Sequence, residues 1–148
     1  MGEQSKSIVF PTDFSEASAE ALQWVQALAA DMHAAVHCIY VVEEPQIFGS
    51  LEMGAVAIPT VEDLKGFATE RLAKFAKEHL QGLGKIETAV LQGRPDKEIV
   101  AYADAHNATM IVMTTHGYSG VKHVLLGSTT EAVLRHANCP VLSVRAKS

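Results

Sequence analysis

Thr114-Thr115-His116-Gly117 and, nine residues later, Gly127-Ser128 are the stretch of this sequence best suited to chemistry. They follow Met110-Ile111-Val112-Met113, an apolar run that reads as a buried strand, and precede a helical pattern over 129–137. The first N–H groups of a helix are unpaired and its dipole favours negative charge there, so a strand, a glycine-spaced loop and a Ser/Thr-rich helix start can hold an anion. Gly117 and Gly127 let backbone approach a phosphate closely, and Ser128 offers a hydroxyl and an N–H. The same residues also suit a plain turn glycine and a helix N-cap.

Asp13 lies just past the first apolar run, Ser7-Ile8-Val9-Phe10, and follows Pro11-Thr12. A carboxylate there can accept from an adenine amino group or a ribose hydroxyl, or it can cap the next helix or its turn. Lys122 and His123 follow the glycine loop, where they can meet outer phosphate oxygens or simply face water. His116 has a side chain that titrates near neutrality, but no partnered nucleophile accompanies it, so shaping the loop is the expected role.

Other signatures are missing. His33 and His37 are four apart, but the helix is expected to end between them, and no His-Glu-x-x-His or Cys-x-x-Cys occurs, so no metal site is expected. Gly84-Lys85 is followed by Ile86, so there is no Walker-type phosphate loop. No glycine-rich turn follows the first strand, which excludes a dinucleotide fingerprint, and Pro11 to Glu16 is too acidic for an FMN phosphate loop. Leu91-Gln92-Gly93 after the third strand lacks the aspartate of a phosphoacceptor domain.

The elements that must position these residues alternate. Strands are expected over 7–10, 35–42, 86–91, 109–114 and 141–145, and helices over 15–32, 61–80, 95–107 and 129–137. Residues 35–42 are almost continuously apolar, as a parallel strand covered on both faces would be. In the 61–80 helix, Leu64, Phe67/Ala68, Leu72, Phe75/Ala76 and Leu80 form one stripe. The connection over 43–60, with Pro45, Gly49, Gly54 and Pro59, is expected to be mobile. Strict β-α alternation implies an α/β fold: one parallel five-stranded sheet between helical layers, joined by right-handed crossovers. Two five-strand orders suit it, 2-1-3-4-5 and 3-2-1-4-5. In the second, the winding reverses between strands 1 and 4, where ligands bind at the strands' carboxyl ends. The loops meeting there are 11–15 and 114–117.

The bulk numbers set the frame. A chain of 148 residues, 48% apolar and 20% charged, suits a single soluble domain over 1–148. A formal charge of −5 without clustered Lys/Arg argues against nucleic acid. No apolar run is long enough to span a membrane, and the polar start lacks a signal-peptide core, so a cytoplasmic location is expected. Cys38 and Cys139 read as small hydrophobes of a reducing compartment.

With these residues in view, the sequence resembles the universal stress protein family. The resemblance rests on Val9-Phe10-Pro11-Thr12-Asp13-Phe14-Ser15-Glu16, on His116-Gly117-Tyr118-Ser119-Gly120, and on Leu125 to Val144 with Gly127-Ser128-Thr129 and Cys139-Pro140-Val141-Leu142-Ser143-Val144. Nucleotide-binding members carry Gly-x2-Gly-x9-Gly-Ser/Thr. Gly117, the spacing, Gly127 and Ser128 fit, while Thr114 stands where the first glycine would be. The resemblance implies an adenine nucleotide alpha hydrolase-like, three-layer fold with strand order 3-2-1-4-5. It implies that Asp13 contacts adenine, that Val41 lines the base pocket, and that the Gly117 loop and Gly127-Ser128-Thr129 hold ribose and phosphates. Pro11, Thr12, Met113 and Thr114 complete the expected nucleotide-binding set. It also implies that the apolar edge Val141, Leu142, Ser143 and Val144 pairs with its twin in a homodimer.

The expected function is therefore an adenine-nucleotide-linked switch of the stress response, with ATP, and magnesium accompanying it, read by a protein partner. No catalytic residue is expected, and any hydrolysis would be slow. The alternative is a nucleotide-free scaffold dimer, which the bulk of Thr114 in a glycine position favours.

Overall fold

The computed structural model describes residues 5–43, 59–115 and 126–145. The centre of the expected 43–60 connection, residues 44–58, lies outside them. So do His116, Gly117, Lys122 and His123. Among the described residues strand and helix alternate: β1 (Ser7–Pro11), α1 (Glu16–Met32), β2 (Ala35–Val42), α2 (Val61–His79), β3 (Ile86–Gln92), α3 (Pro95–Ala105), β4 (Met110–Thr114), α4 (Ser128–His136) and β5 (Val141–Val144).

The five strands pair in parallel in the order β3-β2-β1-β4-β5. The chain winds outward from β1 through β2 to β3, then returns past β1 to β4 and β5. The winding therefore reverses between β1 and β4, where Ile8 and Val9 lie beside Met110 and Ile111. This is the second of the two orders that the alternation allowed.

Side-chain alternation along the strands builds two cores. Ile8, Phe10, Val36, Cys38 and Val112 meet Ala21, Leu22, Val25 and Ala29 of α1 and Leu72 of α2. Val9, Ile39, Ile111 and Met113 point the other way, onto Ile99 and Ala103 of α3 and Val133 of α4. Two helices thus cover each face, which is why the strands read as continuous apolar runs. Cys38 and Cys139 belong to opposite cores and are free thiols; burial pushes the Cys38 thiol up to about 12.

Helix ends explain the small shifts in boundary. Ser15 caps α1 by accepting from the Ser18 N–H, and Thr60 with Asp63 forms a capping box on α2. α1 and α3 end on non-glycine residues in the left-handed region, His33 at φ 53° and Asn107 at φ 50°. Ala34 N–H then donates to Ala29 O, and Ala108 N–H to Ala103 O, as in a Schellman closure. This stops α3 at Ala105, short of the expected 107. One core expectation fails: Phe67 is 66% exposed, while its neighbour Ala68 is buried. Leu64, Ala68 and Leu72 recur every four residues, and Phe67, a 100° step away, flanks that line on the outside.

Candidate functional site

The loop after β1 is built by local hydrogen bonds. Thr12 N–H donates to Ile39 O at 2.9 Å, extending the β1–β2 ladder by one residue. The buried Thr12 hydroxyl pairs with Ser18 Oγ at 2.7 Å and accepts from Phe14 N–H at 3.0 Å. Asp13 Oδ1 accepts from Ser15 N–H at 2.9 Å. Asp13 therefore braces the turn into α1, as one reading of the sequence held, and also lines the cleft described next.

Phe14 sits at φ 63°, where a side chain without local hydrogen bonding is uncommon. The cost is met by aromatic contacts. Its ring stacks on Tyr40 at 5.0 Å, meets Phe75 edge-on at 6.1 Å, and lies under the Arg71 guanidinium at 4.4 Å. The reversal at Phe14 sends its ring toward α2 while Asp13 stays on the β1–β4 side.

The loop after β4 ends on a second helix start. Thr115 N–H donates to Val144 O at 2.9 Å, and Gly127 N–H to Thr115 O at 2.5 Å. Thr130 Oγ1 donates to Thr114 O at 2.7 Å, fastening α4's first turn to the end of β4. Gly127, not Ser128, is the N-cap of α4, and among the described residues no side chain caps this helix. The leading N–H groups of α4 therefore remain available to a ligand.

Between these loops lies a cleft of about 380 Å³. Pro11, Thr12 and Asp13 come from β1 and its loop, and Val41 from β2. Met113 and Thr114 come from β4, and Gly127, Ser128 and Thr129 from the start of α4. Every expected nucleotide-contacting residue within the described set lines this one cleft; Gly117 lies outside that set. Ser18, Tyr40, Glu43, Pro95, Ile99 and Thr130 line it as well and were not singled out from sequence. A signal for Pro95 and Ile99 existed. In a parallel α/β sheet every helix starts at the strands' carboxyl ends, so the first turn of α3 had to open toward the same place.

A larger hollow of about 770 Å³ lies at the opposite end of the sheet, near Ala29, His33, Gly82, Lys85 and His106. Helices α1 and α3 finish there, so their dipoles present the negative end and disfavour an anion. Size alone therefore does not select the site. The smaller cleft has the start of α4, hydroxyl-bearing Ser18, Ser128, Thr129 and Thr130 of α1 and α4, and the carboxylate residues Asp13 and Glu43. Among the described residues no group of three or more His, Cys, Asp or Glu is arranged to hold a metal.

Comparison with known proteins agrees with this architecture. A model of the universal stress protein family matches residues 4–145. Universal stress protein MJ0531 of Methanocaldococcus jannaschii is 39% identical over 140 residues, spanning 95% of this chain and 82% of that protein. The solved structure of the hypothetical protein MJ0577 matches with a TM-score of 0.79 at 32% identity, over 99% of both chains. A universal stress protein solved in complex with cAMP shares the fold at 24% identity, with a TM-score of 0.67 over 97% of this chain and 98% of that one. The sheet order and helix placement are those of the adenine nucleotide alpha hydrolase-like fold. The chain belongs to the universal stress protein family.

Proposed function

We propose that this protein binds ATP, or another adenine nucleotide, in the cleft between β1 and β4 and acts as a nucleotide-linked switch in the stress response. The observation that carries the reading is the pairing of Asp13 with the uncapped start of α4 across one cleft. A carboxylate suits the amino or hydroxyl groups of a nucleoside, and free N–H groups at a helix start suit its phosphates. Magnesium would arrive with the triphosphate and keep most of its waters, since the described residues build no cage of three acidic or imidazole groups. Among the described residues no nucleophile–base pair lines the cleft, and the proposed function is binding with at most slow hydrolysis.

The protein works in the cytoplasm as a homodimer, and a protein partner reads its nucleotide state. The dimer reading is supported by β5, an edge strand whose outer side has no pairing strand among the described residues. Beside it, Trp24, Ala27, Leu142 and Arg145 line a groove of about 610 Å³, and Trp24 is 49% exposed.

A scaffold that works without nucleotide is the second reading. It is favoured by Thr114, which lines the cleft at the position where the family's nucleotide-binding pattern has its first glycine. Mass spectrometry of small molecules released on denaturing the purified protein separates the two. Adenine nucleotide in near-stoichiometric amount supports the switch. None, together with no uptake of added ATP and magnesium, supports the scaffold.

A further inference from the structure

His37 sits on β2 two pairs of residues away from the cleft, on the same strand face as Ile39 and Val41. It is buried, and its Nδ1 atom has two neighbours of opposite demand. The Tyr102 hydroxyl of α3 lies 2.8 Å away and the Glu87 carboxylate of β3 lies 3.2 Å away. An unprotonated Nδ1 can accept from the Tyr102 hydroxyl but offers nothing to a carboxylate. A protonated Nδ1 donates, and a carboxylate is a stronger acceptor than a phenol oxygen. One nitrogen therefore selects between α3 and β3 according to its proton.

The charged surroundings favour the same selection. On β3, Glu87 lies directly across from His37 and pairs with Lys85 at 3.2 Å. On α3, His106 has its ring 5.0 Å from that of His37 and stacks on Tyr102 at 3.9 Å. Across β1 the neighbour is Val9, which is uncharged, while Lys6 before β1 and His33 at the end of α1 line the adjoining hollow. A proton on His37 is thus opposed by burial, by His106 and by Lys85, and is favoured by Glu87 alone. The net effect of burial and these neighbours holds the imidazole below its usual range.

α3 connects this cluster to the cleft. Tyr102 and His106 occupy its last turns, while Pro95 and Ile99 of its first turns line the cleft beside Val41. Ile99 and Ala103 pack on Ile39 between the two ends. We propose that His37 is a proton-operated clasp: unprotonated, it accepts from Tyr102 and holds α3 on the sheet; protonated, it turns to Glu87, releases Tyr102 and loosens the wall that α3 gives the cleft. Acidification then opens the cleft, and a ligand that holds α3 in place expels the proton, since the coupling is reciprocal. The consequence for nucleotide rests on the reading of the cleft given above; the clasp itself does not.

Hydrogen exchange of the α3 amides, corrected for the intrinsic effect of pH, tests the clasp in the full-length protein. Between pH 7.5 and 5.5 protection should fall about threefold to tenfold, within the tenfold per pH unit that one linked proton permits. His37→Gln, whose side-chain oxygen accepts from Tyr102 at any pH, should hold that protection constant. Glu87→Gln, which replaces the charged acceptor with a neutral and weaker one, should move the loss to lower pH. Equal pH dependence in wild type and His37→Gln, or none in wild type, overturns the proposal. In a second arm, ATP affinity is measured at both pH values in both proteins, so that titration of the phosphates cancels. A larger loss in wild type supports coupling to the cleft, and equal losses overturn that coupling. If ATP binds neither protein at either pH, the proposed nucleotide function fails, and the exchange result alone decides the clasp.

Discussion

The Thr130 hydroxyl donates to the Thr114 carbonyl at 2.7 Å, so the first turn of α4 is fastened to the last residue of β4. This bond joins β4 and α4 where both line the cleft. Thr130 is buried, which makes the bond costly to lose. Thr130→Val keeps the shape and removes the donor. It should lower stability by about 1 to 2 kcal/mol, measured by denaturant unfolding, and weaken nucleotide binding further by freeing the start of α4. An unchanged unfolding midpoint would show that the bond does not form in solution.

Phe14 offers a comparison of two truncations. Its ring packs on Tyr40, Phe75 and Arg71, so Phe14→Ala should cost about 2 kcal/mol, less than the usual loss for a fully buried phenylalanine. At φ 63°, however, glycine is freer than alanine. Phe14→Gly should therefore be at least as stable as Phe14→Ala, reversing the ordinary order of these residues. A glycine variant clearly less stable than the alanine variant would contradict the left-handed turn.

Stability should also depend on pH through His37. Burial holds this imidazole below its usual 6.5 in the folded chain. Above about 6.5 it is neutral in both states. As the pH falls below that value the unfolded chain takes the proton first, so stability declines. The decline levels off once the folded-state value is passed. Unfolding midpoints between pH 7.5 and 5 should fall less steeply in His37→Gln than in wild type. Parallel profiles would mean that other groups govern the acid side.

The proposed homodimer can be followed with the protein's one tryptophan. Trp24 is half exposed beside β5, so its emission should shift to the blue as concentration rises and the edge strands meet. Leu142→Pro removes a strand N–H and should give a folded monomer by sedimentation, with no such shift. A dimer that persists in this variant would place the interface elsewhere.

Much of this architecture was legible in the chain because its signals are local and repeated. The run from Ala35 to Val42 had no polar alternation, and it is a strand covered on both faces. Asp13 and Thr114 could be assigned to one cleft once the β1/β4 reversal was expected, because topology brings distant loops to one end of the sheet, whereas Val41 was named only through the family resemblance. What escaped were features that depend on three-dimensional partners. The left-handed turns at His33 and Asn107 carry no glycine to announce them, and Phe14 adopts its turn only because Tyr40 and Arg71 receive its ring. Phe67 has the apolar character of its stripe but flanks the buried line of Leu64, Ala68 and Leu72 and stays exposed, which periodicity alone does not reveal. The His37–Glu87–Tyr102 contacts join residues from three elements, and neither spacing nor composition links them.

In the proposed function, Asp13 and the start of α4 together hold an adenine nucleotide. Titration calorimetry of the purified, nucleotide-stripped protein with ATP and magnesium tests it most directly, with Asp13→Ala as the paired variant. One ATP should bind per chain in the wild type, and Asp13→Ala should lose affinity by at least about tenfold, as expected when a charged hydrogen-bond partner is removed. No heat of binding in the wild type, or equal affinity in the variant, would contradict it.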